Sequence, residues 1–275
     1  PRGRIAGIGD TLLFRDPRGR SRNPSLLPAR DGGIAARGPF IIHQAYTVSK
    51  DAGRTFVGIT RDDNPIHTEG DIVPGALTIA KALLPIEVLF DHVGIVRLRS
   101  KFSRPARYGS RIVNHFFIAQ DPAETAVRVS TYQEGLLMAE TEIRAKPLEG
   151  PEVPARDVTV ETEAVAPIRA FLDCMNVSPD VFFHRGNTDR FTYPKAYLAS
   201  LPSGELVRQL HGEGGLLNMI EFEFEPGKFV PISEHPAPAV LIEDKRLRRT
   251  FCQVATRIWD GFVTFCRGSA LLHPP

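Results

Sequence analysis

Two periodicities alternate along the chain from Phe40 onward. "FIIHQAYTV" is rich in β-branched and aromatic residues, which predicts a strand. In "SKDAGRTFVGIT" Ser49 is a predicted N-cap, and Ala52, Phe56 and Val57 fall at helical spacing. A polar run, "TRDDNPIHTEGDIV", then predicts a loop. "PGALTIAKALLPIEVLF" follows as a helix with Lys81 and Glu87 as its only charges, so it has to be buried on most sides. "GIVRLRSKFSRPARYGSRI" alternates apolar and basic residues, the period of a strand with one wet face. "NHFFIAQ" and "TAVRVSTYQEGLLMAETEIRA" continue as strands, the second folding back in a hairpin around Glu134-Gly135.

After "PLEGPEVPARD", residues 147–157, which reads as a linker, the same order returns. "TYPKAYLASLPSGELVRQL" predicts a helix interrupted near Pro202-Ser203-Gly204, and "GLLNMIEFEFEPGKFVPI" an alternating strand. "AVLIEDKRLRRTF" and a hairpin around Asp260-Gly261 complete the unit. "LRSKFSRPARYGS" parallels "IEFEFEPGKFVPI", and "VRVSTYQEGLLMAETEI" parallels "QVATRIWDGFVTFCRGS", as an ancient duplication leaves behind. Each half is one apolar helix followed by strands, and an antiparallel sheet wrapped around that helix is the packing that buries it. Two such units joined edge to edge remove two open sheet edges. The expected class is therefore α+β, a double hot-dog: an N-terminal arm (1–38) containing one short strand at "TLLF", a first hot-dog (39–146), the linker, and a second hot-dog (158–275).

Composition narrows the partners. The 275 residues are 42% hydrophobic and 24% charged, as in soluble globular proteins. A formal net charge of +2 argues against a nucleic-acid or membrane-surface partner, and the arginines of the arm read as a solvated segment. No apolar run reaches the roughly 18 residues of a membrane span, and no signal-peptide pattern opens the chain, so a cytoplasmic location is expected. Cys174, Cys252 and Cys266 are odd in number and scattered, without metal-ligand spacing, so neither a disulfide framework nor a metal site is expected.

The chemistry concentrates ahead of the first apolar helix, where Asp62, Asn64, Pro65 and His67 spell D-x-N-P-x-H. A carboxylate and an imidazole held a few ångströms apart can share a water, one taking a proton as the other gives one. Asp71 offers a simpler role, as an N-cap for the helix. With its lead-in "YTVSKDAGRTFVGIT", the motif resembles the active site of MaoC-like (R)-specific enoyl-CoA hydratases and dehydratases, clearly over 40–145 and topologically over 160–272. The resemblance implies a hydro-lyase acting on a 3-hydroxyacyl or enoyl thioester, with Asp62 and His67 as the acid–base pair. Asn64 would orient the water or the substrate hydroxyl. Gly75, at the helix start, would let the thioester oxygen reach free backbone N–H groups.

No cofactor is implied beyond the CoA or phosphopantetheine of an acyl carrier protein that brings the substrate. The expected state is a monomeric pseudo-dimer or a homodimer. The second half lacks D-x-N-P-x-H; His184, Asn187 and Asp189 stand in the corresponding place. Dehydratase domains of modular polyketide synthases are similar in layout and draw histidine and aspartate from different halves, so His184 and Asp189 are candidates to contribute. A stand-alone dehydratase of polyketide or other secondary metabolism is the expected function. A cyclase or isomerase, and a non-catalytic acyl-carrier binding module, are the alternatives.

Overall fold

A computed structural model describes residues 11–15, 39–90, 93–147, 166–178, 194–209, 215–224, 245–248, 251–258 and 263–272. The short apolar run of the arm forms β1 (Thr11–Arg15), which pairs antiparallel with β2 (Phe40–Thr47). Ser49 caps α1 (Lys50–Thr60), its hydroxyl accepting from the Ala52 N–H at 3.1 Å. A one-turn α2 (Pro65–Thr68) precedes the apolar helix α3 (Gly75–Leu89). Strands β3 (Val93–Phe102), β4 (Arg111–Gln120), β5 (Thr125–Gln133) and β6 (Leu136–Pro147) follow. Glu134 and Gly135, both at positive φ (53° and 78°), turn β5 into β6, as a two-residue hairpin of type I′ requires.

The second half contributes α4 (Ala166–Cys174), α5 (Lys195–Gln209) and strands β7 (Gly215–Phe224), β8 (Lys245–Arg248), β9 (Phe251–Ile258) and β10 (Val263–Leu272). One ten-stranded sheet results, in the order β1-β2-β4-β5-β6-β3-β7-β10-β9-β8. The halves join where β3 pairs antiparallel with β7, Arg99 lying opposite Glu221, Leu98 opposite Phe222 and Ser100 opposite Ile220. The internal alignment equates Leu98-Arg99-Ser100 with Ile220-Glu221-Phe222. The observed register is therefore centred on equivalent residues, as a pseudo-twofold axis demands. Reading outward from it, β6, β5 and β4 on one side match β10, β9 and β8 on the other. Arg97, on the wet face of β3, bonds Glu221 through Nε at 3.0 Å, so this arginine ties the halves together.

Helix α3 is buried from Ala76 to Ile86, as its composition requires. Leu77, Ile79, Leu83, Leu84 and Ile86 are each at most 1% exposed, and burying each such side chain stabilises by about 2 kcal/mol. The two charges of α3 serve the seam between the halves. Lys81 donates from Nζ to the Met175 carbonyl, just past the C-terminus of α4, at 2.6 Å. Glu87 accepts from the first N–H groups of α5, those of Lys195 (2.6 Å) and Ala196 (3.1 Å). A cation thus meets a helix C-terminus and an anion a helix N-terminus, each with the sign that the helix dipole favours.

Three sequence expectations change. Helix α5 runs unbroken through Pro202, Ser203 and Gly204. A proline inside a helix costs about 3 kcal/mol, but Leu198, Ala199 and Leu201 are buried around it, and packing overrides the local breaker. The alternating run after α3 is two strands, because the chain turns away after Phe102 and β4 starts only at Arg111. Asp71 does not cap α3, whose N-cap is Pro74 without a side-chain bond; Asp71 is exposed and lies 3.7 Å from Arg107. The Asp260-Gly261 turn and the linker beyond Pro147 lie outside the described residues.

Cys174 links α4 to α1, its thiol donating to the Ala52 carbonyl at 3.1 Å. Burial pushes the thiol up to about 11, with the Lys81 charge opposing only in part. Alkylation requires the thiolate, which is about one part in a thousand at pH 8 for such a group. Peptide-resolved iodoacetamide labelling of Cys174 is therefore expected to be slow at pH 8 and to rise about tenfold per pH unit until about pH 11.

Candidate active site

The end of α1 sets the first functional side chain. Arg61 takes the left-handed conformation (φ 57°, ψ 34°), and its N–H closes on the Val57 carbonyl. This reversal turns the chain back on itself, so that Asp62, the next residue, is 1% exposed. Asn64 then caps α2, its Oδ1 accepting from the Ile66 N–H at 3.2 Å while its carbonyl accepts from the His67 N–H at 2.9 Å. Pro65 occupies the first helical position, where its fixed φ suits the turn and its missing N–H is not needed. Asn64 and Pro65 thereby build the single turn that carries His67 to 5% exposure.

His67 has a defined tautomer. Its Nδ1 lies 2.9 Å from the Ile72 carbonyl, which can only accept, so Nδ1 bears the proton and Nε2 presents a lone pair in the neutral ring. Nε2 faces Asp62 Oδ2 at 4.0 Å. That separation is too long for a direct hydrogen bond, but one water or hydroxyl at about 2.8 Å from each atom spans it. Tyr108 supports the turn by donating from its phenol to the His67 carbonyl at 3.2 Å. Burial first, then the nearby Asp62 and Asp71, push the Tyr108 phenol up to about 12, so it remains a donor at neutral pH.

Sequence reasoning missed a third side chain, which comes from the other half. Ser203, 8% exposed on α5, donates to Asp62 Oδ2 at 2.6 Å. The approach depends on Gly204: a Cβ there would lie 2.0 Å from the Thr60 carbonyl oxygen and 2.6 Å from the Arg61 carbonyl carbon and oxygen. The available signal was a Pro-Ser-Gly step inside a predicted helix, which local rules read as a break. Asp62 Oδ1 is buried and has no hydrogen-bond partner among the described residues. Other buried side chains in the first half are paired, as where Asn114 donates to Gln44 (2.9 Å) and Thr131 to Asn114 (2.8 Å). An orphaned buried carboxylate oxygen is costly, by about 1–3 kcal/mol, and at such atoms an ordered water or a ligand supplies the missing donor.

Gly75 begins α3 three residues after Ile72, the partner of His67, and so lies within about 11 Å of it along the chain. The Leu77 and Thr78 N–H groups close on the Pro74 carbonyl. Those of Gly75 and Ala76 have no acceptor among the described residues. A Cβ on Gly75 would come within 3.2 Å of the Phe102 ring, so glycine leaves room beside these donors. The structure thus assembles Asp62, His67 and Ser203, with Gly75 close in sequence to the carbonyl that orients the imidazole. His184 and Asp189 lie outside the described residues. Among the described residues no cluster of three or more His, Cys, Asp or Glu side chains is arranged to hold a metal ion, and no helix is long and apolar enough to cross a membrane.

Two central helices packed together against one continuous antiparallel sheet define a double hot-dog protein. Solved structures agree on this fold. A MaoC-like dehydratase superposes with a TM-score of 0.59 at 10% identity, over 87% of this chain and 99% of its own. A double hot-dog protein of Mycobacterium tuberculosis superposes with a TM-score of 0.57 at 12% identity, over 83% and 94%. A putative thioesterase of Novosphingobium aromaticivorans does so with a TM-score of 0.51 at 17% identity, over 84% and 96%. No family model and no curated protein matches the sequence.

Proposed function

We propose that the protein is a hydro-lyase that interconverts a 3-hydroxyacyl thioester and its enoyl form, the acyl group arriving on CoA or on an acyl carrier protein. The single observation that carries this reading is the buried pair of Asp62 Oδ2 and His67 Nε2, 4.0 Å apart, with Asp62 Oδ1 left for a ligand. Dehydration takes a weakly acidic proton from C2 and returns one to the oxygen leaving C3, so the pair ends with the protons it began with and one water is released. Nε2 has the lone pair for the first task, and the Asp62 carboxyl group faces the same small space. Negative charge gathers on the thioester oxygen as the C2 proton leaves. The open N–H groups of Gly75 and Ala76, at the positive end of α3, are the donors suited to it. Near-complete burial of the pair strengthens each of these interactions.

The likeness to a MaoC-like dehydratase supports the reading at the level of fold, and the D-x-N-P-x-H motif supports it at the level of chemistry. The test is mass spectrometry of 3-hydroxyacyl- and enoyl-pantetheine thioesters after incubation with the protein. Loss or gain of one water is expected. Release of free acid and thiol would instead mark a thioesterase, unchanged mass with new connectivity a cyclase or isomerase, and no change a binding module.

Ser203 has a measurable share in this reading. Its bond to a carboxylate is of the charge-assisted kind, worth about 1.5–3 kcal/mol, and without it Asp62 is free to rotate away from the shared space. Ser203→Ala is expected to lower kcat by about 10- to 100-fold with little change in KM, measured by steady-state kinetics on the same thioester. A kcat within twofold of wild type would remove Ser203 from the site.

A further inference from the structure

The pseudo-twofold axis matches β3–β6 with β7–β10 and α3 with α5, and the starts of the two central helices are the most informative pair. Helices α3 and α5 are both fifteen residues long and occupy equivalent places ahead of β3 and β7. Gly75 and Ala76 at the start of α3 therefore correspond to Lys195 and Ala196 at the start of α5. In the first half these leading N–H groups have no acceptor among the described residues. In the second half both are taken by one carboxylate, that of Glu87, at 2.6 and 3.1 Å. Glu87 comes from the last turn of α3, so the occupant is built into the chain itself.

We propose that Glu87 fills, in the second half, the position that the substrate oxygen takes in the first, and that it thereby acts as a positioning residue for the Asp62–His67 pair. The inference rests on the functional reading above. Two consequences follow from the geometry. The N-terminus of α5 is closed to a second thioester, which leaves the start of α3 as the open one of this pair. The same two bonds fix α5 along its own axis, and Ser203 lies eight residues further on, about 12 Å along the helix. Gly204 sets how closely α5 approaches α1, and Glu87 sets its axial position. Together they place the Ser203 hydroxyl 2.6 Å from Asp62 Oδ2. A cap whose only effect was on stability would move the melting temperature and leave the chemistry alone. The geometry instead routes the effect of Glu87 through Ser203.

The experiment is a double-mutant cycle on the full chain, with Glu87→Ala, Ser203→Ala and the double variant assayed for dehydration of a 3-hydroxyacyl-pantetheine. Glu87→Ala removes a fragment the size of acetate, so the singly substituted protein is also assayed with added sodium acetate and with acetamide as the neutral control. The expected result is a loss of at least fivefold in kcat for Glu87→Ala with KM within twofold. Acetate should restore it saturably and acetamide should not. In the Ser203→Ala background the same substitution should add less than a twofold loss, because the contact it acts through is already gone. Losses that multiply across the cycle, or a Glu87→Ala kcat within twofold of wild type, would overturn the inference and leave the functional reading standing. A wild-type chain without turnover strikes the functional reading, and the inference falls with it. Should Glu87→Ala not fold without acetate, Glu87→Gln enters the same cycle under the same criteria. Its neutral amide oxygen is a weaker acceptor for both N–H groups.

Discussion

Asp62→Asn is expected to reduce turnover of a 3-hydroxyacyl thioester by about 10²- to 10⁴-fold, the contribution typical of one general acid–base group. The substitution is chosen for what it preserves. Asparagine has the shape of aspartate, and its amide oxygen can still accept the Ser203 hydroxyl that now bonds Oδ2 at 2.6 Å. It cannot take or give the proton. Stability should not fall with activity, because the carboxylate is buried with one oxygen unpartnered, an arrangement that costs free energy in the resting protein. A melting temperature equal to or above that of wild type, beside a collapsed kcat, is therefore the expected signature. His67→Ala should lose activity on the same scale, since it removes the lone pair facing Asp62 together with the Nδ1 bond to the Ile72 carbonyl. Steady-state kinetics and thermal melts on both variants decide the matter. Turnover near the wild-type level in either would end the hydro-lyase reading.

Much of this arrangement was legible in the sequence because its causes are local. Ser49 caps α1 through a bond three residues away, and Glu134-Gly135 turns a hairpin through two positive φ angles. The apolar run from Gly75 contains too few polar residues to lie on a surface. The proximity of Asp62 to His67 was readable for the same reason, as they flank the Asn64 cap and Pro65 in one short connection. Ser203 was not readable. It is 141 residues from Asp62 in sequence, and the helix that carries it contains a Pro-Ser-Gly step that local propensity treats as a stop. Only the packing of α5 against α1 and α3 holds that step helical, and packing partners are not printed in a local pattern. Glu87 was visible as one of two charges on α3. That it serves the start of α5 depends on the pairing of β3 with β7, which sets the two halves in register.

Gly204→Ala is expected to lower both stability and activity, and the magnitudes show why. Replacing glycine by alanine inside a helix ordinarily stabilises by about 1 kcal/mol. Here the added Cβ would fall 2.0 Å from the Thr60 carbonyl oxygen and 2.6 Å from two atoms of Arg61. These are backbone atoms at the end of α1, beside a residue already in the left-handed conformation, so no side-chain rotation relieves the overlap. Overpacking against backbone costs about 3 kcal/mol or more, which leaves a net loss of about 2 kcal/mol, or roughly 4–8 °C in melting temperature for a chain of this size. The structure yields by moving α5 away from α1, and that motion withdraws the Ser203 hydroxyl from Asp62. Gly204→Ala should therefore repeat the kinetic defect of Ser203→Ala and add to it the thermal cost of the backbone overlap. If Gly204→Ala instead melted at or above the wild-type temperature and kept its kcat, the close approach of the two helices would not be what holds Asp62 in place.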